Sequence, residues 1–228
     1  MGDRVLVFGD SMTHRGGMTD PEQVEVRPGD GLDRGSAPGD LLASHLLAQG
    51  LASAARLDAR IGRSAYNFWR RESAETLLRA DLDWAPTLVI LMLGTNDAGL
   101  NQKVNEKSMR AIHDWLGSRG AEVWGIGPPA FADTRLTRDS EAVVAMMRRV
   151  FGHRFLDARP LTQDLTQRGR AGDRVHFSDA GSRIFAARLV DAFTRARRWL
   201  WLHAGVEALA TTFVPAVSMV LAATRRTG

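Results

Sequence analysis

Short, almost uniformly apolar runs alternate along this chain with stretches whose apolar residues recur at helical spacing. The clearest run is Thr87-Leu88-Val89-Ile90-Leu91-Met92-Leu93. A run without polar interruption is what a strand shows when helices cover both faces of a parallel sheet. Residues 4–9 read as the first strand, 54–60 as the second, 122–126 as the fourth and 154–157 as the fifth. Between them, residues 38–49, 65–82, 105–118 and 138–150 read as helices, the first of them on Leu41, Leu42, His45, Leu46 and Leu47. Pro86 breaks the chain before the third strand, and Gly127-Pro128-Pro129 stops the fourth. Ser178 caps a last helix that runs to about His203. Strands alternating with helices in this way predict βαβ units and a doubly wound α/β sheet.

Two segments depart from the alternation. Residues 14–38 are rich in Gly, Pro, Asp and Arg and read as a long loop without structure of its own. Loops of that length usually either serve a site or wander over the surface. The second segment starts near Trp199. Val206, Leu209, Phe213, Val217, Val220 and Leu221 recur at helical spacing there, and arginines flank the segment. Glu207, His203 and Pro215 argue against a simple membrane span. The first reading is a helix that packs on the domain or on a second subunit; the other is a helix on a membrane surface. The expected division is one domain over 1–203 and a helical tail over 204–228.

Composition narrows the classes. The chain has 228 residues, a net charge of +4 and no cysteine. There is therefore no disulfide and no thiolate ligand or nucleophile. Lys103 and Lys107 are the only lysines, so the high pI reflects arginine. The arginines are scattered apart from Arg195, Arg197, Arg198, Arg225 and Arg226, and no aromatic-interleaved basic stripe points to nucleic acid. Met1-Gly2-Asp3-Arg4 leads straight into the first strand, so a cytoplasmic location is the expectation.

The candidate chemistry lies at the strand ends. Gly9-Asp10-Ser11 follows the first strand, Gly62 the second and Gly94-Thr95-Asn96-Asp97 the third, and Asp173-Arg174-Val175-His176 precedes the last helix. Open α/β sheets bind ligands at the carboxyl ends of their strands. A serine hydroxyl becomes nucleophilic when a histidine takes its proton. A carboxylate on the other ring nitrogen fixes the tautomer, and hydrogen-bond donors hold the oxyanion. Ser11, His176 and Asp173 can fill the first three roles. Other histidines are weaker candidates. His14 lies in the loop, and His45, His113, His153 and His203 show no spacing that suggests a metal.

The four blocks in this order resemble the SGNH, or GDSL-type, hydrolases. Gly9-Asp10-Ser11, Gly62, Gly94-Thr95-Asn96-Asp97 and Asp173-x-x-His176 match the family's pattern, and His176-Phe177-Ser178-Asp179-Ala180-Gly181 matches its extension. The resemblance spans residue 4 to about residue 200. It implies a flavodoxin-like three-layer α/β/α sandwich with a parallel five-stranded sheet of order 2-1-3-4-5, to which this chain adds a C-terminal helical extension. It implies ester hydrolysis through an acyl-serine, with no metal or cofactor. Ser11 is then the nucleophile, His176 the base and Asp173 its orienting acid. The N–H groups of Ser11 and Gly62 and the Asn96 amide form the oxyanion hole. Asp10 and Asp97 hold turns behind the site. Arg63 and Ser64 either touch a polar substrate group or cap the next helix.

The expected activity is hydrolysis of small acyl esters, acetyl above all, on a carbohydrate or cell-wall glycan. A cell-wall substrate would require the protein to leave the cell by lysis, by another export route or within a particle. The alternative is a scaffold of the same fold, docked by its C-terminal helix into an oligomer, a membrane complex or a larger particle, with activity secondary or absent.

Overall fold

The computed structural model describes residues 2–13, 22–26, 37–71, 79, 81–100, 102–168 and 175–224, excepting the side chains of 22–26, 70, 71, 102–104, 167, 168 and 204–224. In chain order the elements are β1 (Asp3–Gly9), β2 (Glu22–Val26), α1 (Pro38–Ala48), β3 (Ala52–Ala59), α2 (Ala65–Arg71), β4 (Leu88–Met92), α3 (Gln102–Gly117), β5 (Glu122–Ile126), α4 (Thr134–Phe151), β6 (Phe155–Leu156), α5 (Arg159–Thr162), α6 (Leu165–Arg168) and α7 (Asp179–Thr224). Short 3-10 turns cover Thr95–Asp97 and Gly152–Arg154.

The sheet order is β2-β3-β1-β4-β5-β6. The five strands β3-β1-β4-β5-β6 are parallel, so the parallel core has the expected order 2-1-3-4-5. Val7 of β1 pairs with Leu57 of β3 on one side and with Ile90 of β4 on the other.

The apolar runs are explained by burial on both faces. Leu6 and Phe8 of β1 and Val89 and Leu91 of β4 pack with Met109, Ile112 and Leu116 of α3 and with Val143, Met146 and Met147 of α4. The alternating residues Val5, Val7, Leu88 and Ile90 are buried as well, and α1 packs on β1 and β3. Burying such a side chain fully contributes about 1.5–3 kcal/mol.

One strand was not expected. Residues 22–26, within the segment read as loop, form β2, which runs antiparallel to β3 from Glu22 opposite Ala59 to Val26 opposite Ala55. Glu-Gln-Val-Glu-Val between Pro21 and Pro28 has the polar composition of a loop, but that same composition suits an edge strand.

The expected helix over 65–82 is seen as α2 and as a helical turn at 81–83; residues 72–78 and 80 lie outside the described residues. The final helix does not stop near His203. α7 continues without interruption to Thr224. The chain divides into two compact units, Met1–Asp191 and Ala192–Gly228.

Candidate active site

Because β1, β3 and β4 are parallel, Gly9, Ala59 and Met92 end at one sheet edge, and the loops that follow them meet there. After Gly9 the chain turns sharply. Thr13 N–H donates to Asp10 O (2.9 Å), and Met12 N–H donates to Asp10 Oδ1 (2.8 Å). Gly39 N–H, at the start of α1, donates to Met12 O (3.1 Å) and fastens the turn from behind. Gly9 must be glycine for this turn. A Cβ there would lie 1.8 Å from Thr13 Oγ1 and 2.5 Å from Met92 O.

The turn presents Ser11, half-buried, to a histidine 165 residues away. Ser11 Oγ lies 2.8 Å from His176 Nε2, within reach for its hydroxyl to donate to the ring. Asp173 lies outside the described residues, as does His14. Just beyond His176, Ser178 Oγ accepts from Gly181 N–H (3.2 Å) and caps α7 as expected.

Asn96 is held from two sides. Its Nδ2 donates to Arg63 O (3.0 Å) and to Asp10 Oδ2 (3.2 Å). The amide therefore links the loop after β4 to the loops after β1 and β3. Gly62 stands exposed at φ +74, a backbone region that favours glycine. Asp97 is fully buried and accepts from Ala65 N–H (3.0 Å) and Tyr66 N–H (3.4 Å), which caps α2. Burial raises Asp97 to about 6 against the pull of those two N–H groups. Asp10, also fully buried, is raised to about 7, chiefly by burial and further by Asp97, against Met12 N–H and Arg63.

The Arg63 and Ser64 side chains face the interior. Ser64 is fully buried, and its Oγ accepts from Asn67 N–H (3.1 Å), so it caps α2. Arg63 is 1% exposed. Its guanidinium lies between the rings of Phe8 (4.6 Å) and Phe68 (4.8 Å). Nη2 is 3.0 Å from Asp58 Oδ1, and Nη1 donates to Gly9 O and Asp58 O (3.2 Å each). Substrate contact through this side chain is thus replaced by an internal role. One arginine ties the turn at Ser11 to β3 through its side chain and holds Asn96 through its carbonyl.

The sequence reading also missed what lies beneath. Asp58 and Asp81 are both buried and share a hydrogen bond. Burial pushes Asp81 well above the ordinary carboxylate range, and Asp58 pushes it further; Arg63 and Arg56 act in the opposite sense. A carboxyl raised in the folded state contributes stability that is complete below the unfolded pKa and is lost as pH rises through the folded one. Unfolding free energy is therefore expected to fall above pH 4, by at most about 1.4 kcal/mol per pH unit for this proton. Urea titrations at several pH values would show it, and Asp81→Asn should flatten the slope. An unchanged slope in the variant would assign it to other groups.

Met12, next to Ser11 in the chain, lines a small opening with Met92, Leu93, Ile126, Pro128 and Phe185, among others. Gly127-Pro128-Pro129 thus borders this space as well as ending β5. Among the described residues no group of His, Cys, Asp and Glu is arranged to hold a metal ion.

Comparison with known proteins agrees with this architecture. No curated protein matches in sequence. Among solved structures, a catalytic mutant of an acetylxylan esterase from Geobacillus stearothermophilus is similar, at 16% identity and TM-score 0.64, covering 85% of this chain and 95% of that one. A second structure of an acetylxylan esterase from that organism is similar at 18% identity and TM-score 0.61, over 84% and 94%. A lipase/acylhydrolase from Enterococcus faecalis is similar at 21% identity and TM-score 0.58, over 83% and 94%. At these identities the likeness carries the fold. The family follows from a sequence model, the GDSL-like lipase/acylhydrolase family, which matches residues 7–184. Matched over most of its length and folded like the SGNH hydrolases, the chain belongs to the GDSL-like lipase/acylhydrolase family of serine ester hydrolases.

Proposed function

We propose that this protein hydrolyses small acyl esters, acetyl esters above all, carried on a carbohydrate or cell-wall glycan. The observation that carries the reading is the 2.8 Å approach of Ser11 Oγ to His176 Nε2 at the carboxyl edge of the sheet. Ser11 Oγ attacks the ester carbonyl carbon as its proton passes to His176 Nε2. The tetrahedral oxyanion accepts from the N–H groups of Ser11 and Gly62 and from Asn96 Nδ2. Collapse breaks the bond to the alcohol oxygen, which takes the proton from His176 and leaves. Water then repeats the sequence on the acyl-serine and frees the acid. Asp173 orients His176 in this scheme.

Asn96 is prepared for its part. Its shorter bond, to Arg63 O, anchors the amide, while the longer one, to Asp10 Oδ2, is the bond an oxyanion takes over. A donor of this kind lowers the barrier by about 3–4 kcal/mol. The small opening lined by Met12, Leu93 and Pro128 suits a short acyl group. The fold likeness to acetylxylan esterases supports an acetylated glycan as the first substrate to test.

Incubation with a serine-reactive fluorophosphonate tests the nucleophile. Intact-mass spectrometry is expected to show one adduct, mapped to Ser11 and missing in Ser11→Ala. Folded wild-type protein that takes up no adduct would refute the mechanism. Acetate release from acetylated xylan then tests the substrate class.

A further inference from the structure

The second unit carries an exposed aromatic and basic collar. Trp199, Trp201 and Leu202 on α7 are 53%, 68% and 64% exposed. Large apolar side chains grouped in this way on one helix mark an interaction surface. Arg195, Arg198, Trp199 and Leu202 stand at i, i+3, i+4 and i+7, so they share one stripe of the helix. Beside that stripe the Arg197 guanidinium lies over the Trp201 ring (5.6 Å), and the rings of Trp199 and His203 stack (3.9 Å). From Ala192 to Val206 the chain has no acidic residue. Farther on, the sequence keeps the same apolar spacing through Val206, Leu209, Phe213, Val217 and Val220, inside the same helix.

We propose that this half of α7 binds the surface of an anionic lipid bilayer. Tryptophan suits the headgroup level because its ring is apolar and its N–H is polar. Arginine beside it meets lipid phosphate, and the apolar stripe enters the acyl boundary. Glu207 and Pro215 interrupt the apolar stretch that follows, which favours a contact along the surface. The charge selects this occupant. A second copy packed with its twofold axis at Arg195–Arg198 would set like charges against one another. An anionic surface turns the same charges into attraction.

Co-flotation of the full chain with vesicles tests the proposal. Binding to phosphatidylglycerol–phosphatidylcholine vesicles is expected to exceed binding to pure phosphatidylcholine at least fivefold, and to weaken in high salt. The variant W199S/W201S/L202S should bind at least tenfold less, and R195E/R198E should lose the preference for anionic vesicles. Both should hydrolyse a short-chain aryl ester at the wild-type rate, which shows that they are folded. Ser11→Ala should still bind, which separates this inference from the catalytic one. Failure of the wild type to float, or equal flotation of all variants, would overturn it. So would a lipid-free dimer, seen by sedimentation and abolished by the triple variant, in a protein that ignores vesicles.

Discussion

Ser11→Ala is expected to lower kcat/KM on a short-chain aryl ester by a factor on the order of 10⁴ to 10⁶. The hydroxyl and the His176 ring lie 2.8 Å apart, and the proposed mechanism makes them one device. Without the ring the hydroxyl is a weak nucleophile at neutral pH, and without the hydroxyl the ring has no proton to take. The two losses should therefore not add. His176→Ala alone should fall nearly as far, and the double variant should be no worse than Ser11→Ala. Residual activity above the uncatalysed rate should remain, because the oxyanion donors are untouched. Steady-state rates of the three variants, with circular dichroism to confirm folding, would decide. A double variant weaker than either single one by the product of their effects would show that serine and histidine act separately.

Arg63→Ala is expected to lower unfolding free energy by about 3–5 kcal/mol, the usual cost of removing one partner of a buried ion pair. Asp58 would lose the guanidinium 3.0 Å from its carboxyl in the interior, and Asp81 lies beside it. The space between Phe8 and Phe68 would lose the flat group that fills it. Gly9 O would lose the Nη1 donor directly beneath the nucleophile turn. Arg63→Lys should recover part of the stability through its charge, but not the two-pronged grip on Asp58 and Gly9. Urea unfolding of both variants measures this, and a cost below about 1 kcal/mol for Arg63→Ala would mean that water or relaxation replaces the pair.

Sequence pattern is a good guide where one physical demand dominates. Leu88–Met92 is buried on both faces, so only apolar residues are tolerated, and the strand is visible at once. The turn at Ser11 needs glycine at residue 9 for space and Asp10 as an acceptor for Met12 N–H, which makes Gly9-Asp10-Ser11 stand out. Gly62 was placed by order alone, and its positive φ supplies the reason for glycine. Arg63 shows where pattern reading fails. The sequence leaves Arg63 between a substrate contact and a helix cap, whereas its place depends on Asp58 and two aromatic rings brought to it only by the fold. The hint was Asp58 itself, an acid inside an otherwise small and apolar strand. The sequence reads a helix to about His203 and a helical tail beyond it; α7 runs through both without a break, since neither His203 nor Gly205 forbids a helix.

The antiparallel strand Glu22–Val26 has a consequence for the protein in concentrated solution. It covers the flank of β3 and becomes the outermost strand on that side of the sheet. A bare β3 would offer a row of main-chain donors and acceptors to any other chain, and its sequence Ala-Ser-Ala-Ala-Arg-Leu-Asp-Ala carries little to repel one. β2 puts two glutamates into a five-residue strand and follows it closely with Pro28. Two copies approaching through this flank bring like charge together. This short strand therefore works against fibrillar assembly.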